Sequence, residues 1–241
     1  MKITTRPLLR IQDKLYPVDV RKIPLVELRP LQHKAFENKS FRINKEILVL
    51  LTSPGTIDFI ETWLKDLIQS NQVKVLSLSE GVSKSLNNVG LEPYWTSGVP
   101  NVAAMMTEIS KARPRLFDKK PEEYLFIHPC SLETNLKQSV FTKVTGIEIR
   151  NILVYQPVLP NSSLDDLLSI INEIDLKWFF YSGSAVRSFQ KWISKAAIDQ
   201  KVFYTWSFQS IGESSAKELN KMNLKYESLN INEAEQVLYG V

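Results

Sequence analysis

The chain has 241 residues, a net charge of +4, 44% hydrophobic and 23% charged content, one cysteine and two histidines. This composition suits a folded globular protein of one large or two small domains. It excludes an internal disulfide framework, leaves too few Cys and His for a zinc site, and contains no apolar run near the ~18 residues of a membrane helix.

The opening, MKITTRPLLRIQD, is charged from its second residue and has no apolar leader core, so a cytoplasmic protein with no membrane partner is expected. Residues 1–45 carry +7 and the remainder −3. A basic segment can face a polyanion, but a solvated surface is the plainer reading. No basic run interleaves with stacking aromatics, so no nucleic-acid partner is expected.

In chain order, EILVLL (46–51), VKVLSL (73–78), EYLFI (123–127), NILVY (151–155), KWFFY (177–181) and KVFYTW (201–206) are short, apolar and rich in β-formers. Continuous apolar runs of this length suit strands buried on both faces of a parallel sheet. Between them lie stripes at helical spacing. Ile57, Ile60, Leu64, Leu67 and Ile68 form one; Leu164, Leu167, Leu168 and Ile171 form another, with Ser162 or Ser163 placed to cap it. Both stripes read as core. The alternation predicts an α/β fold, with parallel sheets flanked by helices.

The chain also repeats itself. SLSEGVSKSLNNVGL (77–91) aligns with SIGESSAKELNKMNL (210–224) at an offset of 133, matching Ser77, Glu80, Lys84, Leu86, Asn87 and Leu91 to Ser210, Glu213, Lys217, Leu219, Asn220 and Leu224. LTSPGTIDFIETWL (51–64) aligns with FYSGSAVRSFQKWI (180–193) at an offset of 129. Two strand–loop–helix units recurring in the same order predict two similar domains facing each other.

Each repeated strand ends in small residues just before a helix. The four junctions are Thr52-Ser53-Pro54-Gly55, Ser79-Glu80-Gly81, Ser182-Gly183-Ser184 and Gly212-Glu213-Ser214-Ser215. Taken singly, each is an ordinary helix cap. Taken together, they lie where open parallel sheets collect ligands, with unpaired N–H groups and partial positive charge suited to carboxylate or phosphate. Neither a lysine-bearing P-loop nor a three-glycine fingerprint is present, so no nucleotide cofactor is indicated.

With these pieces in place, the sequence resembles the uroporphyrinogen-III synthase family over most of its length and in collinear order. TTRP (4–7) is similar to that family's opening strand, IPLVELRPL (23–31) to its proline-led second strand, and LLTSPGTIDF (50–59) to its FTSP turn. LSLSEGVSKSLNNVGL (76–91) resembles its turn, helix and closing glycine. ILVYQPVLP (152–160) resembles the segment returning the chain to the first domain, and FFYSGSAVRSF (179–189) the second serine turn. IGESSAKELNKMNL (211–224), similar to IGPTTAxAL…GL, is the most specific piece. There are departures. Only LLRIQDKLY (8–16) separates the first two strands, where the family has a helix. His128-Pro129 replaces a frequent Arg-Gly pair, and Glu213 replaces a proline.

The resemblance implies two α/β domains joined by a two-stranded linker, the first made of residues 1–35 and 156–241 and the second, inserted, of 36–155. It implies closure of hydroxymethylbilane, a linear tetrapyrrole polycarboxylate, with loss of water and inversion of the terminal ring, by a monomer using no metal or organic cofactor. Hydroxymethylbilane synthase would hand over the substrate. The residues expected to bind it are Arg6, Thr52, Ser53, Gly55, Ser79, Gly81, Ser182, Gly183, Ser184, Gly212, Ser214 and Ser215. Arg6 would fork onto a carboxylate and the hydroxyls would donate to others. Tyr155 matches the family's tyrosine beside the cleft, where a neutral phenol can hydrogen-bond the departing hydroxyl. Its plainer reading is a strand tyrosine with one polar tip. His128 and Cys130 read as loop-packing residues, and Trp63 and Trp192 as core. Glu213, a carboxylate at a site for anions, keeps open a second reading: a non-catalytic relative binding some other polyanion.

Overall fold

A computed structural model describes residues 1–5, 17–31, 45–69, 73–99, 101–133, 136–196 and 200–240. The first part of the chain gives strands β1 (Lys2–Thr4), β2 (Val20–Lys22), β3 (Glu27–Pro30) and β4 (Glu46–Leu51). Helix α1 (Ile57–Gln69), strand β5 (Val73–Ser77), helix α2 (Glu80–Asn88), strand β6 (Trp95–Thr96) and helix α3 (Val102–Leu116) follow. Next come β7 (Tyr124–Ser131), α4 (Gln138–Thr145), β8 (Glu148–Val158), α5 (Ser162–Ser169), β9 (Lys177–Phe180) and α6 (Gly183–Ala196). The chain continues through α7 (Gln200–Phe203), β10 (Ser207–Ile211), α8 (Glu213–Lys221), β11 (Tyr226–Leu229) and α9 (Ile231–Tyr239).

Two units result. One comprises Met1–Glu27 with Pro157–Val241, the other Leu28–Gln156. The chain crosses between them within β3 and β8, neighbours in one sheet.

The unit holding β1 is built on a parallel sheet of order β2-β1-β9-β10-β11. Alternate residues of a strand face opposite sides. Trp178 and Phe180 of β9 accordingly join Phe189, Phe203, Trp206 and Phe208 in an aromatic cluster, with centroid spacings of 4.8 to 6.4 Å. Phe179 faces the other way and packs with Val20, Ile211, and Ala234 and Leu238 of α9.

The inserted unit has the sheet order β3-β8-β7-β4-β5-β6, parallel from β8 to β6. The β4 run EILVLL is buried on both faces. Ile47, Val49 and Leu51 meet α1 and α2 through Ile57, Ile60, Leu64, Val82 and Leu86. Leu48 and Leu50 meet α3 and α4 through Met105, Ile109 and Phe141. Allowing for a chain that enters at β4, the β8-β7-β4-β5-β6 order repeats that of the other sheet. The two units are similar, as the internal repeat predicts.

Several local expectations are corrected. Residues 201–206 are not a strand: α7 occupies their first half, and β10 begins at Ser207. Phe203, the last residue of α7, meets Trp206 beyond the following turn edge to face at 5.4 Å within the aromatic cluster. Short apolar runs carry too little periodicity to separate strand from helix, and here aromatic packing decides. The second strand of the first sheet is β2; the 23–31 stretch instead supplies β3. Asn161 precedes α5 without a side-chain cap, while Ser163 is buried and donates to the Pro24 carbonyl at 2.6 Å. Of that helix's stripe, Leu167 is buried but Leu164 and Leu168 are exposed, so it is only partly core. His128, Pro129 and Cys130 lie inside β7, not in a loop. The 8–16 departure falls outside the described residues.

Candidate functional site

In each sheet the chain leaves one central strand in one direction and returns to its neighbour in the other, at β1/β9 and at β7/β4. Such switch points open a crevice at the strands' carboxyl ends. Both pairs of predicted junctions lie there, each pair within its own unit.

In the first unit, Ser182 follows β9, and its Oγ accepts the Ala185 N–H at 3.2 Å, capping α6. Gly183 is buried, and a Cβ added there would lie 2.9 Å from the Ser214 carbonyl oxygen, so the two junctions touch through a residue without a side chain. Ser184 Oγ accepts from Arg187 at 2.9 Å, and Arg187 also pairs with Glu218 at 3.2 Å. Gly212 (φ +100°, ψ 159°) starts α8 with no side-chain cap. Ser215 is fully buried and bonds inward, to the Gly212 carbonyl at 2.8 Å and Ser210 Oγ at 2.9 Å. Ser214 and Glu213 are exposed. Arg6 lies outside the described residues; Thr5, next to β1, is buried and donates to the Phe179 carbonyl at 2.8 Å.

The β5–α2 junction copies the β10–α8 junction. Both helices have nine residues, displaced by the same 133 positions. Ser77 Oγ donates to the Ser79 carbonyl at 2.8 Å, as Ser210 does to that of Gly212 at 3.0 Å. Gly90 and Asn223 end the helices with φ of 77° and 55°, and the N–H groups of Leu91 and Leu224 return to Leu86 and Leu219. Ser79 caps α2 through the Val82 N–H at 3.4 Å, and Gly81 is exposed on its first turn.

At the β4 junction, a 3-10 turn (Pro54–Thr56) leads into α1. Ser53 precedes it without a capping bond, and Gly55 is buried inside it. Thr52, partly exposed, bonds across the switch point to His128 Nε2 at 2.9 Å. His128 is fully buried, and its Nδ1 meets Asn151 Oδ1 at 2.9 Å. Burial pushes the imidazole down to about 4 despite the Asn151 hydrogen bond, so it is neutral at neutral pH. Asn151 bonds the Leu136 backbone twice and borders an open depression of about 650 Å³. Burial raises the Cys130 thiol to about 11, leaving it unreactive.

Tyr155 on β8 is 5% exposed and stacks on Phe59 of α1 at 5.2 Å and 23°. It lies beside a β-bulge between Cys130 and Ser131, which resets the register against β7. The sequence reading missed the Thr52–His128–Asn151 chain altogether; its members are far apart in sequence and meet only through β4, β7 and β8.

Solved structures place this architecture. The uroporphyrinogen-III synthetase of Helicobacter pylori 26695 aligns with a TM-score of 0.65 and 14% identity, over 98% of this chain and 96% of that one. A mutant uroporphyrinogen III synthase from the extremely thermophilic bacterium Thermus thermophilus aligns with a TM-score of 0.56 and 11% identity, over 90% of this chain and 86% of that one. The chain has the uroporphyrinogen-III synthase fold. No family model and no curated protein matches the sequence. No helix among the described residues is long and apolar enough to cross a membrane.

Proposed function

We propose that the chain is a uroporphyrinogen-III synthase, a cofactor-independent cyclising lyase that closes hydroxymethylbilane with inversion of its last ring. The observation that carries this reading is the end-to-end likeness to the Helicobacter pylori enzyme, 98% of one chain on 96% of the other. The junctions support it. The helix N-termini of α2, α6 and α8 and the 3-10 turn before α1 offer backbone N–H groups at strand carboxyl ends, suited to carboxylates on a flexible substrate. Ser53 and Ser214 add hydroxyls there, whereas Ser79, Ser182 and Ser215 serve their own turns. Gly212 leaves the backbone open, and Gly183 lets α6 pack against the Ser214 carbonyl.

Pyrrole nitrogen lone pairs can expel the terminal hydroxyl, so the demand on the protein is orientation of the chain while one ring turns over. Tyr155 is the residue assigned to the departing oxygen. Arg6 is assigned to a substrate carboxylate.

The test is product analysis with freshly prepared hydroxymethylbilane. Spontaneous closure gives the type I isomer, and the enzyme gives type III. Formation of type III in proportion to protein supports the proposal. Type I alone, at the spontaneous rate, rejects it in favour of a non-catalytic, polyanion-binding relative, the reading motivated by the departures from the family pattern at His128-Pro129 and Gly212-Glu213.

A further inference from the structure

The Thr52–His128–Asn151 chain has a direction, and the Leu136 backbone sets it. The Asn151 amide is held at both atoms: Nδ2 donates to the Leu136 carbonyl at 2.7 Å and Oδ1 accepts the Leu136 N–H at 3.3 Å. Turning the amide over would set its NH₂ against an N–H and its oxygen against a carbonyl, losing both bonds. Oδ1 therefore faces His128 Nδ1, 2.9 Å away, and that nitrogen must carry the proton. A neutral imidazole has one donor nitrogen and one acceptor. With the proton on Nδ1, Nε2 is the acceptor, and the hydroxyl 2.9 Å from it, that of Thr52, must donate.

We propose that His128 and Asn151 hold the Thr52 hydroxyl as a hydrogen-bond acceptor at the carboxyl edge of β4, where it receives an N–H donor from the substrate. The oxygen of Thr52 keeps lone pairs after its proton is committed inward, and the residue is partly exposed. This reverses the role that the sequence suggests for Thr52. A carboxylate offers only lone pairs and would be repelled by such an oxygen, so the substrate's carboxylates belong on the backbone N–H groups of the neighbouring turns. A pyrrole N–H is the complementary group. The assignment of a pyrrole rests on the synthase reading; the direction of the hydrogen-bond chain does not. His128 and Asn151 are positioning residues, and neither need touch substrate.

The chain contains only His33 and His128. Nitrogen-15 NMR of the histidine-labelled full-length protein at neutral pH therefore reads the tautomer directly, with Thr52→Val identifying the His128 signals. The expected result is a single Nδ1–H tautomer whose Nε2 resonance moves in Thr52→Val. An Nε2–H tautomer, or a fast-exchanging mixture, overturns the proposal. With hydroxymethylbilane, Thr52→Val is expected to lower kcat/KM for the type III product about tenfold, the scale of one hydrogen bond, and Thr52→Ser to restore it. Unchanged kcat/KM in a folded Thr52→Val protein overturns the substrate contact. A wild-type chain that shows the Nδ1–H signal but yields no type III isomer overturns the synthase reading and the pyrrole donor with it, and leaves the tautomer standing.

Discussion

Tyr155 and His128 are both buried in the same unit, yet burial acts on them differently. Tyr155 is fixed through its ring, stacked on Phe59, so removing its hydroxyl leaves the packing in place. Tyr155→Phe is expected to fold normally and to lower turnover of hydroxymethylbilane on the order of tenfold if the phenol assists departure of the hydroxyl; an unchanged rate would show that orientation alone suffices. His128 has a folded-state value of about 4 against 6.5 for the free side chain. Its neutral form is the native one, so the unfolded chain binds the proton more readily between these values. Its contribution is complete above pH 6.5 and is lost as the pH falls towards 4, about 3 kcal/mol in all. Denaturant unfolding at pH 7 and at pH 4, compared with the same difference in His128→Gln, isolates this group from the carboxylates. Equal pH differences in the two proteins would contradict the assignment. Tyr155 was singled out by the family resemblance and not by its own setting, while His128 was concealed because a proline next to it suggests a loop. Pro129 is tolerated because β4 pairs with β7 only as far as Ile127, which leaves a local edge with no ladder bond to break on that side.

The strand–turn–helix element was the most legible feature. Two copies could be aligned by eye because the same chemistry holds each turn. A buried serine at the strand end bonds the carbonyl that opens the helix, a buried leucine anchors the last turn, and a left-handed residue closes it. What the letters did not reveal is which hydroxyls are occupied by that task. Ser215 and Ser182 resemble ligand donors in sequence and serve their own turns in space. Gly212 differs from its counterpart Ser79 in adopting φ +100° and ψ 159°, a region open essentially to glycine alone. No atom lies within 4 Å of a Cβ built there, so the cost of Gly212→Ala is purely that of the backbone. The expected loss is about 1–3 kcal/mol, measured by chemical denaturation. A neutral substitution would mean that the turn relaxes to another conformation. Helix α5 and residues 201–206 were misread for related reasons: a short apolar stretch does not declare which of its faces will find a partner.

At the scale of the whole chain, two similar sheets were legible from the repeat, because recurrence at nearly constant spacing survives divergence that erases individual motifs. The order in which each sheet is threaded was not. In the inserted unit β3 comes first but lies at the sheet edge, beside β8; the central strand β4 is followed by its neighbours β5 and β7 within the insert itself. The first unit begins at β1, whose neighbour on one side is β9, with Lys2 paired to Lys177. That difference gives synthesis on the ribosome a built-in order. The insert can mature while the chain is still emerging, whereas its host must keep an early strand waiting, unzipped on one edge, for a distant complement to appear. Pulsed deuterium labelling during refolding should show amides at 46–51 shielded well before those at 2–4, since loop closure over so long a separation is slow. Simultaneous shielding would mean that host and guest mature as one piece.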